Sequence, residues 1–251
     1  MKMTIKFIKL VLLMVTTSQL VGCYGQSNFK DGSKDAKMME VGQKASKIDQ
    51  QIWAVYQDKV ENYWFGSNGQ GLYKYNGNTL IQMTTKDGLI DNQIRGIQED
   101  KQGNLYVETP TGVSKFDGSK FTTLSVVKSP QNTWKLEPDD LWFNCNGNVH
   151  HIYRYDGEKL YELQLPKMDL EGVLGIREED LRNDPYTVFG IDKDKSGNLW
   201  IGTVLSGAFR FDGESFLWIG EKELSRLPDG REPGVRSILE DDDGFMWLSN
   251  F

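Results

Sequence analysis

The 251-residue sequence predicts an all-β fold, a β-propeller of about five short four-stranded blades in a small or incomplete ring. A strand phrase recurs along the chain, most clearly at residues 188–203 followed by 207–213. Turn pairs separate the strand-forming runs, as at Gly197-Asn198 and Asp212-Gly213. Hydrophobic residues make up 38% of the chain and glycine occupies 26 positions, which favours short strands and tight turns over long buried helices.

The repeat has the period of a propeller blade. Each copy centres on an aromatic residue, and neighbouring copies lie near the roughly 40–45 residues that a four-stranded blade occupies. The third step is longer, because residues 166–186 are predicted to insert a loop with one short helix. The third copy is degenerate and the fifth begins at Val235. The central aromatic residues are Trp64, Tyr106, Trp142, Trp200 and Trp247.

The amino terminus has the layout of a bacterial lipoprotein signal. Three lysines precede the short apolar run 10–15, which is too short to span a bilayer, and Leu20-Val21-Gly22-Cys23 resembles a lipobox. We therefore expect residues 1–22 to be a signal peptide and Cys23 to be the lipidation site. Residues 23–47, rich in polar residues and glycine, are expected to be a lipidated flexible tether, and 48–251 the propeller repeats. The expected location is the bacterial cell envelope, on the periplasmic or outer-membrane side.

The acidic turns resemble calcium loops only at their start. Asp192–Gly197 matches such an opening, but the twelfth position, where a calcium loop needs a bidentate glutamate, is Thr203. A similar turn recurs at Glu99–Gly103 with fewer acids. Recurrence in each blade favours turn formation, so no metal and no cofactor are predicted.

A few residues remain as candidates outside the repeat. If Cys23 is lipidated, Cys145 has no intrachain partner and is predicted to be a small buried residue on a strand. His150 and His151 are adjacent, so on a strand they point to opposite faces and are expected to be core or surface residues. Trp134, in a polar loop, is a weak candidate for contact with a sugar ring, and its alternative role is to cap a core edge.

The charge of the chain argues against a nucleic-acid partner. The formal net charge is −7, and no cluster of basic residues interleaved with aromatic residues interrupts this acidity. The expected partners are instead a membrane, through the lipid anchor, and an oligosaccharide or envelope-protein ligand.

The phrase Asp-x-x-Gly-Asn-Leu-Trp-Ile-Gly-Thr at 194–203, followed by Gly-x-x-Arg-Phe-Asp-Gly at 207–213, resembles the two-component-regulator propeller repeat. This resemblance covers residues 48–251 and implies a sensor-type propeller of the kind found in the periplasmic parts of bacterial hybrid histidine kinases. The expected function is a membrane-anchored extracytoplasmic module that binds or senses a ligand without catalysis. Two alternatives stay open, a propeller enzyme of the lyase or lactonase type and a truncated fragment of a larger sensor, and no catalytic residue is predicted.

Overall fold

The computed structural model describes residues 41–129, 131–145, 151–177, 184–221 and 234–249, together with positions 179, 181 and 224. Within them the chain forms five β-sheets, and the predicted all-β fold is confirmed. The expected signal peptide, the lipidation site Cys23 and most of the expected tether lie outside the described residues, as does His150. No helix in the described part is both long and apolar enough to cross a bilayer.

Blade 1 is an antiparallel meander with one added strand. Its four main strands pair in chain order, and a short strand at 43–44 pairs with the outermost of them. The sheet therefore begins before residue 48. Gly42, with a φ of +99°, allows the chain to approach the edge of the sheet closely just before this strand. The strands are β1 (Gln43–Lys44), β2 (Ile52–Gln57), β3 (Tyr63–Ser67), β4 (Leu72–Tyr75) and β5 (Leu80–Met83).

Blades 2 and 4 are regular four-stranded antiparallel meanders, each in chain order from its first strand to its last. Blade 2 consists of β6 (Gly96–Glu99), β7 (Leu105–Thr109), β8 (Gly112–Phe116) and β9 (Phe121–Thr123). Blade 4 consists of β14 (Val188–Lys193), β15 (Leu199–Thr203), β16 (Ala208–Phe211) and β17 (Phe216–Ile219).

Blade 3 has a different strand order. Its first strand in the chain does not pair with the aromatic strand; it pairs in parallel with the last strand, at the opposite edge of the sheet. The aromatic strand is therefore an edge strand, and no described strand pairs with its free side. The strands are β10 (Val126–Lys128), β11 (Leu141–Phe143), β12 (Ile152–Tyr155) and β13 (Leu160–Leu163).

Blade 5 is a two-stranded hairpin within the described residues, formed by β18 (Ser237–Glu240) and β19 (Met246–Ser249).

Between blades 3 and 4 the predicted short helix is present as α1 (Leu170–Leu174), which Asp169 caps at its N-terminus. A single turn of 3-10 helix at Thr85–Asp87 links blades 1 and 2. The expectation of about five blades is thus met, although only blades 2 and 4 have the regular four-stranded form.

The apolar cores lie between neighbouring blades, and the repeated aromatic residue anchors each of them. Trp64 packs on blade 2, with its ring in edge contact with Phe116 at 5.9 Å between centroids. Tyr106 packs on Phe143 of blade 3, and Trp142 and Trp200 pack on blades 4 and 5. Each blade therefore covers the aromatic residue of the blade before it.

Glycine closes the turn after the aromatic strand. Gly207 has a φ of +74°, and a Cβ added there would lie 2.2 Å from the carbonyl oxygen of Ile219. The hydroxyl of Thr203 donates a hydrogen bond of 2.8 Å to the carbonyl of Gly207. Ser67 and Gly71 repeat this bond in blade 1 at 2.9 Å. The Gly-x-x-Arg-Phe-Asp-Gly phrase thus begins with a glycine for steric reasons.

Candidate functional site

The free edge of β11 points into the interior of the blade assembly. Main-chain groups of alternate residues in a strand face the same side, so Asp140, Trp142 and Asn144 share the side away from β12. In blade 4 the equivalent side of β15 is paired with β14. The corresponding groups of blade 3 have no such strand beside them in the described part of the chain.

Side chains from the two neighbouring blades bond this edge instead. The amide of Gln98, on β6, donates to the carbonyl of Trp142 at 2.7 Å. The carboxylate of Glu108, on β7, accepts from the N–H of Asn144 at 2.7 Å and from that of Cys145. The ammonium of Lys193, on β14, donates to the carbonyl of Asp140 at 2.9 Å. The main-chain groups of this edge are thus hydrogen-bonded by individual side chains, which occupy less space than a strand.

A cavity of about 670 Å³ lies where the missing strand would run. Its walls come from the first strands β6, β14 and β18 of blades 2, 4 and 5, and from β11 of blade 3. Its volume is within the roughly 300–1,000 Å³ of small-molecule sites. The polar side chains on its wall are those of Arg95, Gln98, Glu108, Asp140, Asn144, Asp192, Lys193, Arg236 and Ser237.

Glu108 is the most perturbed acid on this wall. Its side chain is buried, and burial raises its pKa to about 7 because the charged form loses its hydration. The N–H groups of Cys145 and Asn144 favour the charged form and counteract part of this rise. Near neutral pH both protonation states are therefore populated, and the group can accept or donate a hydrogen bond at the cavity.

The cations on the wall are held by different means. Burial lowers the pKa of Lys193, although its ammonium also contacts the carbonyls of Glu137 at 3.1 Å and Pro138 at 3.3 Å. The guanidinium of Arg95 lies 4.0 Å from the ring centroid of Trp53, and its buried Nε has no hydrogen-bond partner in the described structure. Because this Nε is buried, it is an unsatisfied donor within the wall and is not presented to the cavity.

The acidic turns hold the aromatic residues of the repeat. In blade 4 the carboxylate of Asp194 accepts from the indole N–H of Trp200 and the amide of Asn198, both at 2.8 Å. The same acceptor stands six residues before the aromatic residue in three other copies, as Asp58, Asp100 and Asp241. No cluster of three or more metal-ligating side chains occurs in the described residues. The aspartate six residues before the aromatic residue therefore has a structural role: it shapes the turn and also accepts the hydrogen bond of the aromatic side chain. The sequence analysis predicted only the turn.

Blade 3 breaks this rule, and the sequence shows where. Leu136 stands at the position of the turn aspartate, and the indole N–H of Trp142 is buried without a partner among the described residues. Nearby, Asp140 forms a buried ion pair with Arg154, at 2.5 Å to Nε and 3.0 Å to Nη2. The substitution of leucine for aspartate is the signal that could have identified blade 3 as irregular.

Trp134, the weak candidate for sugar contact, is partly buried and packs against the core between blades 3 and 4. Its ring stacks on Trp142 at 5.6 Å between centroids and makes edge contacts with Phe211 at 5.4 Å and Phe216 at 4.8 Å. Its indole N–H donates to the carbonyl of Gln164 at 3.1 Å. These contacts assign the ring a packing role, and contact with a ligand stays a prediction.

The remaining candidates lie elsewhere. His151 is partly buried, and its Nδ1 lies 3.2 Å from the carboxylate of Glu162 on β13. It is not among the residues that line the cavity. Cys145 is buried as predicted, but it follows β11 in a turn with a φ of +52° rather than lying on the strand. Burial raises the pKa of its thiol, which keeps it protonated.

Comparison with known proteins agrees with the repeat. Residues 88–107, which include β6 and the start of β7, match the family described as "Two component regulator propeller". No curated protein matches the chain in sequence. The chain is a β-propeller domain that carries this repeat, as the sequence resemblance predicts.

Solved structures show the same fold. The extracellular domain of a hybrid two-component system of B. thetaiotaomicron is 17% identical, with a TM-score of 0.55, over 82% of this chain and 27% of that one. A second such domain from this organism is also 17% identical, with a TM-score of 0.54, over 78% of this chain and 26% of that one. Virginiamycin B lyase of Staphylococcus aureus is 12% identical, with a TM-score of 0.58, over 83% of this chain and 66% of the enzyme.

The chain thus spans about a quarter of the length of the sensor domains and 66% of the lyase. At these identities the likeness establishes the fold and leaves activity open. The fold and the repeat define a β-propeller domain, similar in fold to the extracellular domains of hybrid two-component systems.

Proposed function

We propose that the chain is a lipid-anchored extracytoplasmic binding module whose ligand occupies the cavity beside β11. The observation that supports this most directly is the cavity of about 670 Å³, lined by the first strands of three blades and by the free edge of a fourth. Loops and strand edges around a propeller centre converge from several blades, so one ligand can contact all of them.

The wall chemistry favours a polar, hydroxyl-rich ligand, and we propose an oligosaccharide. Gln98 and Asn144 offer amides, Glu108 and Asp192 offer carboxylates, and Arg95 offers a guanidinium. The exposed ring of Trp53, against which Arg95 packs, offers an apolar face close to this wall. Such a mixture of polar side chains and an aromatic face suits the two surfaces of a sugar ring.

The membrane attachment rests on the sequence. Cys23 follows a short apolar run and the residues Leu20-Val21-Gly22, as in a lipobox. Several acyl chains on one residue anchor a protein stably, whereas one chain binds only marginally. The likeness to extracellular sensor domains supports the same side of the membrane. Substitution Cys23→Ser is expected to move the chain from the membrane fraction to the soluble fraction, and unchanged membrane association would contradict the anchor.

Binding is tested on the full-length chain in detergent. The melting temperature is measured with gluco-, manno- and xylo-oligosaccharides, and one class is expected to raise it. The substitution Gln98→Ala, on the cavity wall, is expected to weaken that effect, whereas Glu214→Ala, on an exposed turn, leaves it unchanged. If no oligosaccharide shifts the melting temperature, the ligand class is wrong. If a bound oligosaccharide is cleaved, the enzyme alternative replaces the binding module.

A further inference from the structure

The cavity beside β11 receives one arginine from each of two blades, at the same position of the repeat. Arg95 of blade 2 and Arg236 of blade 5 each precede the turn aspartate of their blade by five residues. Their main-chain N–H groups donate to equivalent carbonyls, those of Glu108 and Ser249, both at 2.8 Å. Both arginines line the cavity. The repeat therefore places two guanidinium groups on one wall.

An aromatic ring of the preceding blade supports each guanidinium. The guanidinium carbon of Arg95 lies 4.0 Å from the ring centroid of Trp53, and that of Arg236 lies 4.5 Å from the ring centroid of Phe189. Trp53 and Phe189 also precede the turn aspartates of their blades by five residues. The same stack of arginine on an aromatic ring thus occurs twice, once between blades 1 and 2 and once between blades 4 and 5.

A guanidinium that is supported in this way can still bind a ligand. Its N–H groups lie in its own plane, so a ring against its face leaves them able to donate. Nη1 of Arg95 donates to the side-chain oxygen of Asn68 at 3.4 Å, and Nη2 donates to that of Gln93 at 3.2 Å. Each of these nitrogens carries a second N–H. Planar pairs of N–H groups match the oxygens of an oxyanion such as a carboxylate.

The acids on the cavity wall offset these cations only in part. Asp140 is neutralised by its ion pair with Arg154, at 2.5 Å. Burial raises the pKa of Glu108 to about 7 and also raises the pKa of Asp192, so near neutral pH Glu108 is charged in only a fraction of molecules. The guanidinium groups stay charged throughout this range. The wall therefore favours an anion, although the chain as a whole carries a formal charge of −7.

We propose that the ligand of this cavity is an oligosaccharide that carries an oxyanion, either a carboxylate or a sulfate, and that Arg95 and Arg236 bind its oxyanion groups. This inference rests on the proposed binding function and adds the charge of the ligand to it. The amides of Gln98 and Asn144 lie on the same wall and suit the hydroxyl groups of the sugar.

Matched pairs of oligosaccharides test the charge of the ligand. Isothermal titration calorimetry on the full-length chain in detergent compares oligomannuronate with a manno-oligosaccharide of the same linkage and length, and a sulfated cello-oligosaccharide with the unsulfated one. In one pair the acidic member is expected to bind at least about tenfold more tightly, because charge-assisted hydrogen bonds are stronger than neutral ones. The pair that shows this preference identifies the oxyanion as a carboxylate or a sulfate.

Two variants test the arginines. In Arg95→Gln and in Arg236→Gln the preference, taken as the ratio of the two Kd values, is expected to fall at least about fivefold, because one charged donor is lost. The control Lys120→Gln removes the same charge from an exposed turn outside the cavity and is expected to keep the ratio. Circular dichroism and melting temperature establish that each variant is folded.

The outcomes separate this inference from the proposed function. Equal affinity of the wild type for both members of each pair would overturn the oxyanion and leave the binding function intact. An unchanged ratio in both arginine variants, or an equal fall in Lys120→Gln, would overturn the role of the two arginines. If no oligosaccharide binds, whether neutral or acidic, the proposed function itself is wrong.

Discussion

The carboxylate of Glu108, on blade 2, accepts a hydrogen bond of 2.7 Å from the main-chain N–H of Asn144, at the free edge of blade 3. It also accepts from the N–H of Cys145. One side chain thus supplies acceptors that a neighbouring strand supplies in the regular blades. Blades 2 and 3 are therefore joined at the cavity by a titratable group.

Glu108→Ala is expected to lower the free energy of unfolding by about 1–3 kcal/mol, because it leaves two inward-facing N–H groups without an acceptor. Glu108→Gln keeps one carbonyl acceptor and is expected to lose less. Urea denaturation measures both changes, and Glu214→Ala, on an exposed turn, serves as the control. Equal stability of the alanine variant and the wild type would show that the bonds to Asn144 and Cys145 add nothing.

The same carboxyl makes stability depend on pH near neutrality. A folded-state pKa of about 7, above the ordinary 4.5, means that the folded chain holds this proton more tightly than the unfolded chain does. Its contribution is complete below about pH 4.5 and is lost as the pH rises through about 7. Relative to Glu108→Gln, the wild type is expected to lose about 2–3 kcal/mol of unfolding free energy between about pH 5 and 8.

This pH window separates Glu108 from the turn aspartates. The pKa of Asp194 is lowered by hydrogen bonds from Trp200 and Asn198, which outweigh the effect of burial, so its contribution is lost only as the pH falls below its ordinary range. Urea denaturation of both proteins across the window tests the expectation. Stability curves that stay parallel from pH 5 to 8 would assign Glu108 an ordinary pKa.

Asp194→Ala is expected to cost about 2–3 kcal/mol of unfolding free energy, because the indole N–H of the buried Trp200 and the amide of Asn198 lose their acceptor. Asp242→Ala, on a fully exposed side chain in the equivalent turn of blade 5, is the matched control and is expected to change stability by less than about 0.5 kcal/mol. Equal effects of the two substitutions would contradict the anchoring role of the turn aspartate.

Trp134→Ala is expected to destabilise the fold by about 2–3 kcal/mol, since it removes the ring that stacks on Trp142 and contacts Phe216. Trp53→Ala, at an exposed ring, is the control and is expected to cost less. Thermal and urea unfolding measure the change. A Trp134→Ala variant with wild-type stability but weakened oligosaccharide binding would instead support the ligand role predicted for this loop.

The regular parts of the fold could be predicted because their determinants are local. The aromatic residue, the Gly-Asn turn and the Asp-Gly turn lie within one repeat, and at Trp200 and Tyr106 the structure places them as the repeat predicts. The helix at Leu170–Leu174 also follows from nearby residues, with Asp169 as its cap.

Blade 3 and the cavity could not be predicted in this way. The three residues of β10 can pair with either edge of a sheet, and their choice of β13 depends on contacts with residues far along the chain. The cavity follows from that choice, so Gln98 and Glu108 carried no signal of their own in the sequence. The degenerate third copy, with Leu136 at the position of the turn aspartate, marks an irregularity in the sequence but does not predict its form.

The parallel pairing of β10 with β13 also constrains the order in which the chain can acquire structure. Val126 pairs with Leu160, whereas the strands of blades 1 and 2 pair mainly with their immediate successors. A chain that emerges amino terminus first can complete blade 2 early, but β10 has no partner until residue 163 has emerged. During that interval β10 exposes unpaired main-chain N–H and C=O groups, which can pair incorrectly with other strands. Slow synthesis of residues 129–163 is therefore expected to lengthen the time during which β10 can pair incorrectly and aggregate.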